Sequence, residues 1–284
     1  MSLLVGLRIE LWVEERGGQA AINPVMVDLL AGLARSGARV KARVIEHETV
    51  DPARPCRADL ILLRSATDLA LAAAMAAAAA GVRVIEAPGL ACRTLDKAAV
   101  IGLLAAHNLP VPPTYLVGGS GDSEAVEVPS EWAARSWFRK PVRGVHGWGV
   151  STHESLAGAF VAPDHAGVPD WVTDDGCRLV QAAVGEGPDL KIYAAGEKLF
   201  AGRKGFHSRS YADDSIDRIE LDPSTAELAR TVGAALGLRL YGLDLRLERG
   251  RAWIVDVNPF PGYRGFPDAA AAIEREIIRA LAAA

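Results

Sequence analysis

Hydrophobic and polar positions divide the chain into two differently patterned regions. In the first hundred residues apolar runs alternate with amphipathic or alanine-rich stretches. Leu7–Val13 reads as a strand, and Asn23-Pro24 is a cap and first-turn signal for a helix through Ser36. Arg39–Glu46 and Leu60–Leu63 read as strands, the alanine-rich run after Asp68 as a helix, and Val82–Glu86 as a strand. This βαβ rhythm predicts a small parallel sheet covered by helices. A helix over Asp96–Asn108 is ended by LPVPP, and GGSGDSEAVEVPSE reads as a loop. From Trp137 the pattern changes to strands and glycine loops, WFRKPVRGVHGWGV, RLVQAAV, LKIYAAG and KLFAGRK. A helix over Ser224–Leu236 and a terminal helix from Asp268 flank a last strand pair, and no internal repeat is evident.

That last pair, YGLDLRLERGRAWIVDVNPFPGYRGF, is the most informative segment. Leu243, Leu245 and Leu247 alternate with polar residues, as do Trp253, Val255 and Val257. If Arg249-Gly250-Arg251 form the loop, Leu243 faces Val257, Leu245 faces Val255 and Leu247 faces Trp253. On the other side Asp244 then lies across from Asp256, with Asn258 one step further along. Two facing carboxylates repel unless a cation or a proton lies between them. Two carboxylates and an amide oxygen suit Mg2+, which is held by a few such ligands plus substrate phosphates. The alternative is a solvated strand face carrying two unrelated acids.

Composition narrows the class. A chain of 284 residues can hold two domains or one divided α/β unit. A net charge of −4 speaks against nucleic acid or an anionic membrane as the main partner. Three cysteines, Cys56, Cys92 and Cys177, form no CxxC and suggest a reducing, cytoplasmic setting. The N-terminus has no signal-peptide pattern, and LALAAAMAAAAAGV is too short for a bilayer span.

GxxxxGK[ST] and GxGxxG are both absent. Instead, Arg139-Lys140-Pro141 precedes Gly144, Gly147 and Gly149. A strand-end lysine beside a glycine-rich turn can surround phosphate oxygens with one ammonium and several backbone N–H groups. Glycine turns between strands are also common without any ligand. His153-Glu154 begins like a zinc helix but lacks a second histidine, and no GxSxG is present.

In this order the motifs resemble the ATP-grasp superfamily, from about Arg93 onward. The resemblance is carried by Asp96-Lys97 with LPVPPTYLV, RKPVRGVHGWGV, LVQAAV, GPDLKIYAAGEKLFAGRK, and YGLDL with VDVNPFPG. Within the superfamily the chain is similar to the ribosomal-protein glutamate ligase and lysine-biosynthesis ligase group. It is also similar to inositol polyphosphate kinases, which share the DxNxFPGYxG ending. The resemblance implies an α/β (α+β) ATP-grasp fold: residues 1–92 as an N-terminal α/β subdomain, 93–180 as the central one and 181–284 as the C-terminal one. It implies ATP between the last two, and Mg2+ or Mn2+ on Asp244, Asp256 and Asn258. By the same resemblance Lys97, Lys140 and Gly147 meet ATP phosphates. Gln181, Ala182, Ala183 and Val184 form the adenine hinge, and Asp189 contacts the nucleotide. Lys191, Arg203, Lys204 and Arg209 line the stretch that meets the transferred phosphoryl group, or else form a solvated basic face.

The departures bear on activity. Ala182 stands where the hinge usually has Glu, DVN where ligases usually have ExN, and Arg209-Ser210-Tyr211 where the ligase group often has Arg-Ser-Asn. The expected activity is a carboxylate–amine ligase acting through an acyl-phosphate on small-molecule carboxylate and amine substrates; a homo-oligomer is compatible with it. The alternatives are a small-molecule kinase of the inositol-polyphosphate type and a non-catalytic nucleotide-binding module. The strand ends near Glu14–Gly18 and Arg64–Asp68 should face the acceptor pocket, where Arg64 has the chemistry to hold a carboxylate.

Overall fold

The computed structural model describes residues 3–16, 18–118, 126–143, 149–161, 177–204 and 216–283. Its first strand, β1 (Arg8–Val13), is followed by a two-rung hairpin of β2 (Glu15–Arg16) and β3 (Gln19–Ala20). Helix α1 (Pro24–Arg35) starts where the sequence places it, because Asn23 Oδ1 accepts the Met26 N–H and Pro24 fills the first helical position. Strand β4 (Arg39–Val44) is shorter than expected, since Ile45–His47 turn into a 3-10 helix. Next come β5 (Leu60–Leu63), α2 (Asp68–Ala79) and β6 (Arg83–Ile85). The sheet order is β4-β1-β5-β6, with every pairing parallel.

Strand β5 is apolar throughout because both of its faces are covered. Leu60 and Leu62 join Met26, Leu29 and Leu33 of α1 in one core, and Ile61 and Leu63 join Ala70, Ala73, Ala74 and Ala77 of α2 in another. The first core also takes in Phe260, Tyr263 and Phe266, together with Ile273 and Ile277 of the terminal helix. The C-terminal end of the chain therefore packs onto the N-terminal sheet.

A helix absent from the sequence reading, α3 (Pro88–Leu95), precedes α4 (Lys97–Ala106). Asp96 ends the first and caps the second, accepting the Ala99 N–H at 3.0 Å. Lys97 N–H donates to Val142 O at 3.0 Å, which ties the start of α4 to the segment leaving the central sheet. That sheet consists of β7 (Thr114–Gly118), β8 (Trp137–Pro141), β9 (Ser151–His153) and β10 (Cys177–Ala182), in the antiparallel order β7-β10-β8-β9. Two short helices accompany it, α5 (Ser130–Ala133) and α6 (Leu156–Val161).

The third sheet contains β11 (Asp189–Ala195), β12 (Lys198–Lys204), β13 (Asp217–Arg218), β14 (Leu240–Glu248) and β15 (Arg251–Pro259), in the order β13-β12-β11-β14-β15. Between them α7 (Pro223–Leu236) closes on Gly237 in the left-handed conformation (φ +73°), and α8 (Ala269–Ala282) ends the fold. Val232 and Leu236 of α7 and Val100 and Leu104 of α4 pack on Ile192, Leu243, Leu245 and Val257. On the opposite face Ala195, Phe200 and Leu240 join the first core, and Lys191, Asp244 and Asp256 lie further along it.

Glu86, just past β6, ties the N-terminal sheet to the start of β14. It is 4% exposed and accepts the Leu240 N–H at 2.7 Å and the Arg239 N–H at 3.3 Å. Burial raises its pKa from 4.5 to about 7, against those hydrogen bonds and the charge of Arg239 and with the charge of Glu276. A raised carboxyl pKa means the folded state binds the extra proton. The stabilisation is complete below pH 4.5 and is lost as pH rises through about 7. Urea unfolding of Glu86→Gln should therefore lose on the order of 2 kcal/mol less than wild type between those limits. Parallel stability–pH curves for the two proteins would contradict this.

Candidate nucleotide and metal site

The hairpin of β14 and β15 positions the acids, though not by the expected route. The turn is the two-residue Arg249-Gly250, with φ +49° and +78°, the signs that a type I′ turn requires. Glu248 therefore pairs with Arg251, Leu247 with Ala252, Arg246 with Trp253 and Leu245 with Ile254. A bulge then leaves Val255 unpaired, after which Asp244 pairs with Asp256, Leu243 with Val257 and Gly242 with Asn258. The expected three-residue loop and the Leu245–Val255 and Leu247–Trp253 facings are corrected by this register. A turn shorter by one residue and a bulge longer by one cancel before Asp256 is reached, so the two acids still meet.

Each acid has a lysine. Lys191 lies opposite Asp244 on β11, with Nζ 2.6 Å from Oδ2. Lys97, at the start of α4, places Nζ 2.5 Å from Asp256 Oδ1. The result is a row, Lys191, Asp244, Asp256, Lys97, in which an ammonium group at each end offsets the repulsion between the two central carboxylates. Asn258 Nδ2 donates to Asp256 Oδ2 at 3.1 Å. Burial raises the Asp244 pKa, with Lys191 opposing and Asp256 adding to the shift. Burial pushes Asp256 the same way, but Lys97, Lys140 and Asn258 together hold it below the usual carboxylate range. Burial works against the charge on Lys191, and Asp244 outweighs it, so that pKa is raised.

Among the described residues no three His, Cys, Asp or Glu side chains gather around a point. A cation at these acids would have the Asn258 amide oxygen available as a third protein ligand. Two carboxylates and an amide are hard oxygen donors, and this set fits Mg2+.

Lys140 on β8 faces the same cleft. Its Nζ donates to Gln181 Oε1 at 2.7 Å, Gln181 Nε2 donates to Thr114 Oγ1 at 3.1 Å, and Thr114 Oγ1 donates to Pro112 O at 2.8 Å. With no carboxylate bonded to it, Lys140 has a pKa lowered to about 8, chiefly by burial, with Asp256 opposing and Lys97 adding to the fall. Lys97, Lys140, Gln181 and Asp256 form the polar lining of a cleft, and Val100, Ile101, Leu104, Leu179 and Val255 form its apolar lining. The cleft thus lies between the second and third sheets, with α4 along one side.

The hinge expected at residues 181–184 is braced from within. Ala182 N–H donates to Pro113 O and Ala183 N–H to Ser136 O, each at 2.9 Å. Arg246 donates to the carbonyls of Val184 (3.2 Å), Gly185 (2.9 Å) and Gly187 (2.7 Å), and pairs with Asp189 at 2.9 Å. Glu248 accepts from Arg135 at 2.8 Å and from the Gly185 N–H at 3.2 Å. The hinge amides of Ala182 and Ala183 and the Asp189 carboxylate are thus engaged with protein groups. Sequence reasoning missed Arg246 and Glu248, although period-2 alternation from Asp244 puts both on the face that carries the acids.

Lys204 lies opposite Asp189 and so on the face of Lys191, whereas Arg203 lies opposite Leu190, points to the other face and is exposed. The structure does not bring Arg203 together with the acids, because neighbouring residues of a strand face opposite ways. Gly147 and Arg209 lie outside the described residues.

The chain is similar to several known proteins. Residues 205–277 match the family described as the inositol 1,3,4-trisphosphate 5/6-kinase ATP-grasp domain. Over 80 residues the chain is 40% identical to inositol-tetrakisphosphate 1-kinase 3 of Arabidopsis thaliana, covering 24% of this chain and 23% of that protein. Over 190 residues it is 25% identical to a probable alpha-L-glutamate ligase of Legionella pneumophila (strain Corby), covering 62% of this chain and 59% of the relative. The chain therefore spans less than two thirds of the length of either relative. Among solved structures, the RimK domain protein ATP-grasp from Sphaerobacter thermophilus superposes with a TM-score of 0.74 at 18% identity, over 96% of this chain and 98% of that one.

Proposed function

We propose that this chain, which has the ATP-grasp fold, is an ATP- and Mg2+-dependent carboxylate–amine ligase working through an acyl-phosphate. The observation that carries the reading is the charged row Lys191–Asp244–Asp256–Lys97, whose Asp256 and Lys97 line one cleft together with Lys140. In the proposed division, residues 93–180 and 181–284 hold the nucleotide between them and residues 1–92 face the acceptor. A carboxylate oxygen attacks the γ-phosphorus and ADP leaves. An amine then attacks the acyl-phosphate carbon, loses a proton and expels phosphate.

Asp244, Asp256 and Asn258 would hold Mg2+ or Mn2+, which when bound supplies charge neutralisation at the phosphate oxygens. Lys140 carries a positive charge with a neutral amide partner, which suits it to a phosphate oxygen. Lys97 and Lys191 neutralise the acids in the protein alone, and Lys97, which lines the cleft, is placed to meet phosphate once a cation holds the carboxylates. Lys204 is a described basic residue one step along the same face from Lys191, and Arg209 is a further candidate from the sequence. Val184 N–H is the hinge donor best suited to adenine, as those of Ala182 and Ala183 are already used. Among the described residues no helix is long and apolar enough to cross a membrane, and we place the activity in the cytoplasm.

Similarity to a probable glutamate ligase over 190 residues favours the ligase reading. The kinase reading is favoured by the denser 40% identity over 80 residues and by Asp256 in the DVN motif. A screen of amino acids, small carboxylates and polyols with ATP and hydroxylamine separates the two. A ligase yields a hydroxamate with the right carboxylate. A stable phosphorylated polyol with no hydroxamate would overturn the ligase reading in favour of the kinase.

A further inference from the structure

Arg64 lies just past the carboxyl end of β5, the edge of a parallel sheet where ligands gather, and the nucleotide and metal reading makes no use of it. Its Nη1 donates to Ala21 O at 3.3 Å, while its Nε is buried with no hydrogen-bond partner. Among the described residues no carboxylate is bonded to this guanidinium. Glu14, whose charge acts on it, is committed to Arg16 at 2.9 Å and to the Ala66 N–H at 3.2 Å. Arg16 and Arg264 act on Arg64 as like charges. Burial, opposed only by Glu14 and Tyr263, lowers its pKa to about 10. A part-buried guanidinium whose buried Nε has no partner is costly to the fold, so its retention calls for a role.

The surroundings indicate that role. Gly262 is four residues beyond Asn258, on the segment that leaves the candidate metal strand. A Cβ at Gly262 would lie 2.7 Å from Asn23 Nδ2 and 3.5 Å from Arg64 Nη2. Asn23 Nδ2 donates to Gly262 O at 2.8 Å and holds the segment there. Glycine at this position makes room for the Asn23 amide and leaves the backbone beside the guanidinium. Arg64 and the chain emerging from Asp256 and Asn258 therefore meet at the junction of the N-terminal sheet and the C-terminal loop.

We propose that Arg64 anchors an oxyanion subsite for the acceptor substrate, gripping a carboxylate or phosphate group through its planar fork. The location of the acceptor rests on the proposed ligase function; the presence of the subsite does not. Under the ligase reading the ligand group is a carboxylate that stays unreacted, so the acceptor carries at least one carboxylate besides any that is activated.

The test uses thermal-shift titrations of wild type, Arg64→Gln and Arg64→Lys with four probes: L-glutamate, succinate, inorganic phosphate and myo-inositol 1-phosphate. Affinity for the Mg2+ complex of AMPPNP serves as the control for folding and for the nucleotide site. Wild type should be stabilised by at least one probe. Arg64→Gln should bind that probe at least tenfold more weakly and Arg64→Lys should fall between, with AMPPNP affinity within twofold of wild type in both. Arg64-dependent binding of glutamate or succinate identifies a carboxylate acceptor. Arg64-dependent binding of the phosphates alone keeps the subsite and makes the acceptor a phosphorylated compound. If Arg64-dependent binding is seen while the hydroxamate screen is blank, the ligase reading fails and the subsite stands. Absence of stabilisation by any probe, equal probe affinity in Arg64→Gln, or parallel loss of AMPPNP binding overturns the subsite.

Discussion

Asp256→Asn is expected to cut Mg2+-dependent ADP release by about 10³-fold while leaving the protein folded. A metal that neutralises transferring phosphate supplies several kcal/mol, and each 1.4 kcal/mol is about tenfold in rate. The fold should survive because the replacement is isosteric and retains an oxygen acceptor for Lys97, whose Nζ lies 2.5 Å from Oδ1. It also removes the charge facing Asp244, and with it one of the causes that raise the pKa of that carboxyl. The rate should be measured on the carboxylate that gives a hydroxamate, with the melting temperature taken in parallel. Mn2+ bound in the presence of AMPPNP, counted by electron paramagnetic resonance, should drop as well. Turnover near that of wild type would remove the metal role from Asp256.

Lys140→Ala is expected to weaken AMPPNP binding by roughly 10- to 100-fold, the range for losing a hydrogen bond to a charged group worth about 1.5–3 kcal/mol. Its ammonium is bonded to the neutral carbonyl of Gln181 at 2.7 Å and has no carboxylate bonded to it, so its charge is not spent within the protein. Arg230→Ala is the matched control. Arg230 lies on the exposed side of α7 at 3.9 Å from Glu197 and 3.8 Å from Glu227, a surface arrangement of small energetic value. Calorimetry should show the control unchanged. Equal affinity for Lys140→Ala and wild type would refute the phosphate role.

The sequence by itself determined the N-terminal parallel unit, the Asn23 cap and the meeting of Asp244 with Asp256. These features depend on local rules: apolar runs for strands covered on both faces, a side chain that accepts an N–H three residues on, and a strict period of two along a strand. It also identified Lys97 and Lys140 as basic residues at element boundaries without indicating which protein groups they touch. The short helix Pro88–Leu95 escaped notice because a proline–glycine opening and a mixed eight-residue stretch give little periodicity to read.

The tertiary structure alone decided the ion pairing. Lys97 reaches Asp256 across 159 positions of chain, and Lys191 reaches Asp244 across 53, through contacts that exist only when α4 and β11 are packed beside the hairpin. The same holds for Arg246, which braces residues 184–189 from a strand some sixty positions later, and for Arg203, turned away by the pairing of β11 with β12. The bulge at Val255 belongs with these, because alternation fixes which residues share a face but not where an extra residue enters the ladder. Alternation is a property of the backbone and can be read from one strand. Charge neutralisation is a property of the space between strands and helices, and it becomes visible only when they are assembled.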